Sequence, residues 1–506
     1  MKRINLYIIG LILLMGAGFQ SCELKSEMYD VINPLIYPQT ARDARDLVTS
    51  NAYGAFRNSS YDGLFNVATG WMLTSDIATD YGFCSWGGSV WDPLHYGRFT
   101  KAETRNSTHT WDFLNEISKM TLTIDRISGI DMNEDLKNQY IAELRCGRGF
   151  LAFLVWNMHG PIIVADLETL KNPLDEVILP RMSEEETRNY IVTELTEAMK
   201  HLVTSYKKGD PDYGRFTKGL CHMVLLKFYM QTKQWDKAIT EARELQKPEY
   251  GYALVTDPGA ETSAYANIFT EINEKNAETI WSVNCMEGYQ THLWYPHALT
   301  SNVSAFSGGW GGYKMTWKFF KTYEEGDQRK ETIIYEYTTR GGITYNEANK
   351  GTGSNSLAHG VLPMKYKIEP NVGDKCQTDW IVYRYADVLT LLAEAIVRKD
   401  NTVTTEAIDL LNQVRTRAGL PAYTAASFSN ARDFLDKLLM ERAHEFYYEG
   451  CRRMDLIRDG SYVSVMNQKS IDYGQAPVMN ENHHLFPLAE SVIVQGKGLI
   501  EQNPGY

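Results

Sequence analysis

Tryptophan and tyrosine crowd two stretches of this 506-residue chain. Residues 76–98 hold Tyr81, Phe83, Trp86, Trp91 and Tyr96; residues 281–317 hold Trp281, Tyr289, Trp294, Tyr295, Phe306, Trp310, Tyr313 and Trp317. Each window is enriched less than twofold over the chain's 12% aromatic content, so density alone decides little. The neighbours say more. Trp86 precedes Gly87-Gly88, and Trp310 lies between Gly308-Gly309 and Gly311-Gly312. Glycines supply no side chains to bury a ring, so these tryptophans read as displayed. A displayed indole or phenol suits one chemistry in particular. It stacks on the apolar C–H face of a sugar ring at little entropic cost, while nearby amides and guanidinium groups bond the hydroxyls. The candidate ligand-binding residues are Tyr81, Trp86, Trp91, Trp294, Tyr295 and Trp310. Trp281, in the strand-like run Thr279–Val283, and Trp317, opening Trp317-Lys318-Phe319-Phe320, read as core.

Catalytic patterns give no comparable signal. His444-Glu445 lacks the second histidine of a His-Glu-x-x-His site, and neither a Gly-x-Ser-x-Gly elbow nor a Gly-rich phosphate loop occurs. His483-His484 is an adjacent pair whose side chains diverge on a strand, which disfavours a metal site. Cys84, Cys146, Cys221, Cys285, Cys376 and Cys451 are widely spaced, without metal-ligand spacing. Cys146 and Cys221 fall in apolar helical patterns and read as small buried hydrophobes. No catalytic residue, metal ligand or cofactor is expected. A glycosidase needs only two placed carboxylates, which 63 acidic residues always permit, so that alternative stays open.

Cys22 is a different kind of candidate. Lys2 and Arg3 are followed by an uncharged apolar run from Leu6 to Gly18, too short to span a bilayer but suited to a signal peptide. A cysteine just after such a run resembles a lipoprotein acylation site, although Phe19 and Gln20 depart from the usual pattern. Residues 1–21 are thus read as a signal peptide and Cys22 as the lipidated residue, anchoring the protein to a membrane. Removing the signal leaves 49 basic against 63 acidic residues, a balance that disfavours nucleic acid.

The elements that must hold these residues are mostly helices. Phe113, Ile117, Met120, Ile124 and Ile127 follow helical spacing; a second apolar segment stops at Gly160-Pro161; Ser183 and Glu186 form a capping box. Leu220, Met223, Val224 and Phe228, a turn at Lys233-Gln234, then Trp235, Ala238, Ile239 and Ala242 have the character of a tetratricopeptide helix pair. A second pair starts at Tyr385 and continues through Ala407, Leu410, Leu411 and Val414, and a later helix carries Leu435, Leu438 and Leu439. Between about 250 and 380 the periodicity gives way to Gly, Asn, Thr and aromatic residues. The expectation is a mainly α chain. A tetratricopeptide-like helical-repeat scaffold at about 40–250 and 380–460 carries a long irregular, loop-rich insertion, all in one domain, 22–506.

Several blocks resemble the SusD/RagB family. Tyr383-Arg384-Tyr385-Ala386-Asp387-Val388-Leu389 with Ala393-Glu394-Ala395 is similar to its "RYADVLLLYAEA" core, and Asn412 to Leu420 to "NxVRxRAGL". Glu441 to Phe446 with Glu449 to Arg458 resembles "ERRxELxFEGxRxxDLIR", and Leu485-Phe486-Pro487-Leu488 with Gln502-Asn503-Pro504-Gly505-Tyr506 its closing motif. Glu143 to Phe150 and Asp327-Gln328-Arg329-Lys330 match less faithfully. The resemblance implies a cell-surface, outer-membrane lipoprotein of polysaccharide utilization. Such a protein captures a glycan ligand and delivers it to a SusC-like TonB-dependent transporter, without being an enzyme. Peptide-binding RagB-like members, a surface glycoside hydrolase and a protein-only tetratricopeptide adaptor are the alternatives. The family's ligand platform lies in loops comparable to the two aromatic windows. The motif charges, Arg415, Arg417, Glu441, Arg442, Glu449, Arg452 and Asp455, are read as ion pairs that fix helix register.

Overall fold

A computed structural model describes residues 37–58, 63–68, 70–102, 109–303, 308–369 and 375–506. The signal segment 1–21, Cys22 and Phe306 lie outside the described residues. The chain is mainly α. Its longer helices are α1 (Ala41–Tyr53), α2 (Leu114–Ser128), α3 (Glu134–His159), α4 (Glu184–Met199), α5 (Lys218–Gln231), α6 (Trp235–Leu245), α7 (Tyr385–Asp400), α8 (Thr405–Arg417), α9 (Ala431–Glu445), α10 (Arg452–Asp459) and α11 (Tyr462–Asp472). Among the described residues no helix is long and apolar enough to cross a membrane.

Local chemistry sets the boundaries. Asn133 caps α3, which stops at Gly160 with φ +75°. The Ser183–Glu186 capping box opens α4, satisfying two otherwise orphaned N–H donors. α5 and α6 turn about Lys233 at φ +57°, and Ala238 and Ala242 are fully buried where helices approach closely. α7 ends at Asn401 in the left-handed region, and Thr404 caps α8. α6 packs on α7, so the 218–245 and 385–417 pairs stack although the insertion separates them in sequence. Cys146 on α3 and Cys221 on α5 meet, buried and unpaired, with their sulfurs 3.5 Å apart. His483 and His484 lie in a 3₁₀ turn, Glu481–His484, instead of the strand expected; His484 Nε2 faces Glu481 at 3.1 Å.

The insertion is tied down in two ways. Strand β2 (Thr279–Val283), the strand-like run of the sequence and wholly buried, pairs antiparallel with β4 (Trp380–Arg384) and closes the base. Beside it lies a buried ion-pair network. Arg384 reaches Glu278 at 2.8 Å, Glu445 at 2.5 Å and Glu449 at 2.7 Å. Arg417 bonds the same Glu278 and Glu445. Arg329 of the insertion meets Asp327 at 2.8 Å and Glu441 at 2.7 Å. On the scaffold side, Arg442 bridges Asp387 and Asp455, and Arg452 bonds Asp80. Burial alone would raise the Glu445 carboxyl; Arg417, Arg384 and Arg329 outweigh that and hold it down at about 2. The motif charges are paired as expected, and more deeply buried than the sequence suggests.

Candidate functional site

Two three-residue strands bring the aromatic windows together. β1 (Gly82–Cys84) pairs antiparallel with β3 (Tyr313–Met315), Phe83 opposite Lys314 and Cys84 opposite Tyr313. Ser85 N–H extends the ladder by donating to Gly312 C=O at 2.7 Å. The chain then turns through Gly87 and Gly88, at φ +59° and +75°, into the short helix Gly88–His95, which carries Trp91. The second window is anchored by a short helix, Trp294–Ala298. Trp310 N–H donates to Pro296 C=O at 2.6 Å, Gly311 N–H to Leu299 C=O at 2.9 Å and Gly312 N–H to His297 C=O at 2.8 Å.

Trp86 closes the junction. Its Nε1–H donates to Trp310 C=O at 3.0 Å, across 224 positions of sequence. Its ring centroid lies 5.7 Å from Trp91, nearly edge-on, 5.7 Å from Tyr313 and 5.6 Å from His297. His297 also meets Trp310 edge-on at 4.6 Å and stacks on Tyr313 at 5.2 Å. Trp86 is 37% exposed, and Trp91 and Trp310 are half-buried. The glycines here are placed for contact and backbone conformation. A Cβ on Gly312 would lie 2.5 Å from the Trp86 ring, and Gly311 adopts φ +66°.

Tyr81, Trp294 and Tyr295, expected at the ligand, are buried instead. Trp294 packs on Tyr313, Trp380 and Tyr448, backing the platform from within. Tyr81 sits against Phe319 and Tyr448 and receives the Tyr448 N–H at 3.1 Å. Tyr295 hydroxyl donates to Lys375 C=O. An aromatic-rich loop needs its own small core, and these rings form part of it. Sequence reasoning passed over His297 and Tyr313, the rings beneath Trp86, and also the polar edge. Asp92, with a half-exposed carboxylate, flanks the Gly87 turn; its contact to His95 at 3.4 Å carries no ion pair, because burial holds His95 at about 2. Asn355, exposed, lies against Gly311 and accepts from Ser301 N–H. Tyr313 lay within the second aromatic window and Asp92 beside Trp91; no sequence signal marked His297 or Asn355. One exposed and two half-buried rings, with a carboxylate and an amide beside them, can stack on a flat apolar face and bond its polar rim.

The SusD family model matches residues 277–506. SusD-like protein P25 of Formosa agariphila is 25% identical over 275 residues, 52% of this chain and 49% of that protein. SusD-like protein P38 of the same organism is 25% identical over 388 residues, 70% of this chain and 73% of that protein. Residues 277–506 carry the SusD family's pattern, and the chain is similar to these two SusD-like proteins over 52% and 70% of its length. Its alignment with P25 spans about half of that relative's length. The fold recurs in solved structures. Surface glycan-binding protein A from Bacteroides fluxus superposes with a TM-score of 0.75, at 21% identity, covering 93% of this chain and all of that one. Surface glycan-binding protein A from Bacteroides thetaiotaomicron, in complex with laminarihexaose, gives 0.73 at 20% identity, covering 91% and 99%.

Proposed function

We propose that this chain is a cell-surface, lipid-anchored protein that binds glycan on Trp86, Trp91 and Trp310 and passes it to a SusC-like TonB-dependent transporter in the outer membrane. The observation that carries the glycan reading is the Trp86–Trp310 junction: an exposed indole and a half-buried one held rigidly by a hydrogen bond and a buried aromatic bed. Rigid rings lose little entropy on stacking, which is why such surfaces suit sugars. The laminarihexaose complex of the Bacteroides thetaiotaomicron relative supports the same class of ligand. Tyr81, Trp294 and Tyr295 take a supporting role in this reading.

A glycan array probed with the chain starting after Cys22 tests it. Binding to oligo- or polysaccharides without release of smaller sugars is the expected result; turnover would favour a hydrolase, and binding only to peptides a RagB-like carrier. Membrane attachment through Cys22 is tested separately by Cys22→Ala, which should move the protein into the soluble fraction. Co-purification with a TonB-dependent barrel in mild detergent tests the transporter.

A further inference from the structure

Two of the described cysteines face each other. Cys146 Sγ on α3 lies 3.5 Å from Cys221 Sγ on α5, and both residues are fully buried. Other cysteines turn to polar groups: Cys376 Sγ donates to the Glu369 carboxylate at 3.0 Å, and Cys285 Sγ to Val283 C=O at 3.6 Å. Cys451 Sγ receives Lys227 Nζ at 3.5 Å. Cys146 and Cys221 have each other's sulfur instead. Disulfide sulfurs stand about 2.0 Å apart, so the remaining gap is about 1.5 Å, within reach of a turn about either Cα–Cβ bond.

A bond here would close a long loop, since 75 positions separate the two cysteines. That loop holds α4 and the largely irregular connections 160–183 and 200–217. α4 is already fastened to α3, Glu194 receiving Arg145 at 3.0 Å and Arg148 at 2.5 Å. α5, which opens the tetratricopeptide-like pair, touches α3 directly. A covalent tie at that crossing removes freedom from the unfolded chain and so favours the folded scaffold.

We propose that Cys146 and Cys221 form a stabilising disulfide, oxidised while the exported chain folds. This rests on the export part of the proposed function and not on its glycan platform. The oxidant is a thiol–disulfide oxidoreductase outside the cytoplasm. One cysteine thiolate attacks its disulfide, giving a mixed disulfide and one released oxidoreductase thiolate. The second cysteine thiolate attacks the mixed disulfide, forming the Cys146–Cys221 bond and expelling the other oxidoreductase thiolate. Two electrons pass to the oxidoreductase, and the two thiol protons end on its dithiol. Exchange precedes the packing of α3 on α5, because burial holds the Cys146 thiol well above its usual value and leaves no thiolate to attack. The same burial then shields the bond from reductants.

Differential alkylation read by peptide mass spectrometry tests it. Cells expressing the full chain are fractionated in acid, and the protein is unfolded, blocked with iodoacetamide, reduced and labelled with N-ethylmaleimide. Cys146 and Cys221 should carry the second label, and Cys84, Cys285, Cys376 and Cys451 the first. A second sample removes the dependence on export: the chain starting after Cys22, made in a cytoplasm supplied with a sulfhydryl oxidase, should give the same pattern. Free thiols at Cys146 and Cys221 in that folded sample overturn the pairing. Free thiols in exported chain overturn its oxidation in the cell, whatever the second sample shows. Full-length chain found only in the cytoplasm would contradict export instead, and the second sample then decides the pairing. Dithiothreitol should lower the melting temperature of the oxidised chain by several degrees and leave that of Cys221→Ala unchanged; an equal response in both overturns the stabilising role.

Discussion

The indole N–H of Trp86 donates to the carbonyl of Trp310 at 3.0 Å, and the ring it belongs to lies against the backbone of Gly312, where a Cβ would come within 2.5 Å. Position 312 thus sets the ring without being able to touch a ligand through a side chain. Gly312→Ala should push Trp86 off its bed, cost about 1–3 kcal/mol as overpacking does, and weaken glycan binding more than tenfold. Calorimetric titration and thermal melting read both effects; affinity unchanged in this variant would mean that Trp86 placement is irrelevant to binding.

Trp294 separates support from display. It is 1% exposed behind Tyr313, so Trp294→Ala leaves a cavity, and a loss of about 3–5 kcal/mol of stability is expected. Trp86→Ala, at a 37% exposed position, should cost far less stability while removing a stacking face. Equal melting temperatures for the two variants would contradict the assignment.

The helical scaffold was legible because its signals are local and repeated. Ser183 with Glu186 marks a helix start by itself, and Ala238 with Ala242 marks a close helix crossing. The platform was legible in half. Glycine neighbours pointed to Trp86 and Trp310; Trp294 has none, but its burial depends on Trp380 and Tyr448, far along the chain. β1 and β3 span three residues each, too few for a period-2 pattern, although their pairing joins the two windows. Long-range pairing of short segments leaves no periodic trace.

Arg384 compensates three buried carboxylates at once, Glu278, Glu445 and Glu449. Its replacement by methionine takes one cation from each of them, leaving Arg417 for Glu278 and Glu445 and Lys365 for Glu449, and a loss of about 3–5 kcal/mol is expected. Urea denaturation of Arg384→Met measures it; a loss below about 1 kcal/mol would show that Arg417 and Lys365 suffice.

His297 gives the platform a pH dependence. Burial disfavours its charged form and a hydrogen bond with Leu293 C=O only partly offsets this, so its value falls from 6.5 to about 4. The folded protein therefore binds fewer protons here than the unfolded chain between those limits. The contribution is fully present above pH 6.5 and is lost as pH falls towards 4, up to about 3 kcal/mol. Relative to the natural chain, His297→Gln should flatten the fall in melting temperature between pH 6.5 and 4; an identical pH profile would place the acid sensitivity elsewhere.

In the proposed function, Trp86 and Trp310 hold the ligand and not the fold. Replacing both with alanine and measuring the glycan-binding isotherm together with the melting temperature tests it most directly. Each stacked ring contributes about 0.5–1.5 kcal/mol beyond the area it covers, so affinity should fall well over tenfold while the melting temperature stays within a few degrees. Unchanged affinity at an unchanged melting temperature, or a collapse of the fold, would contradict the account.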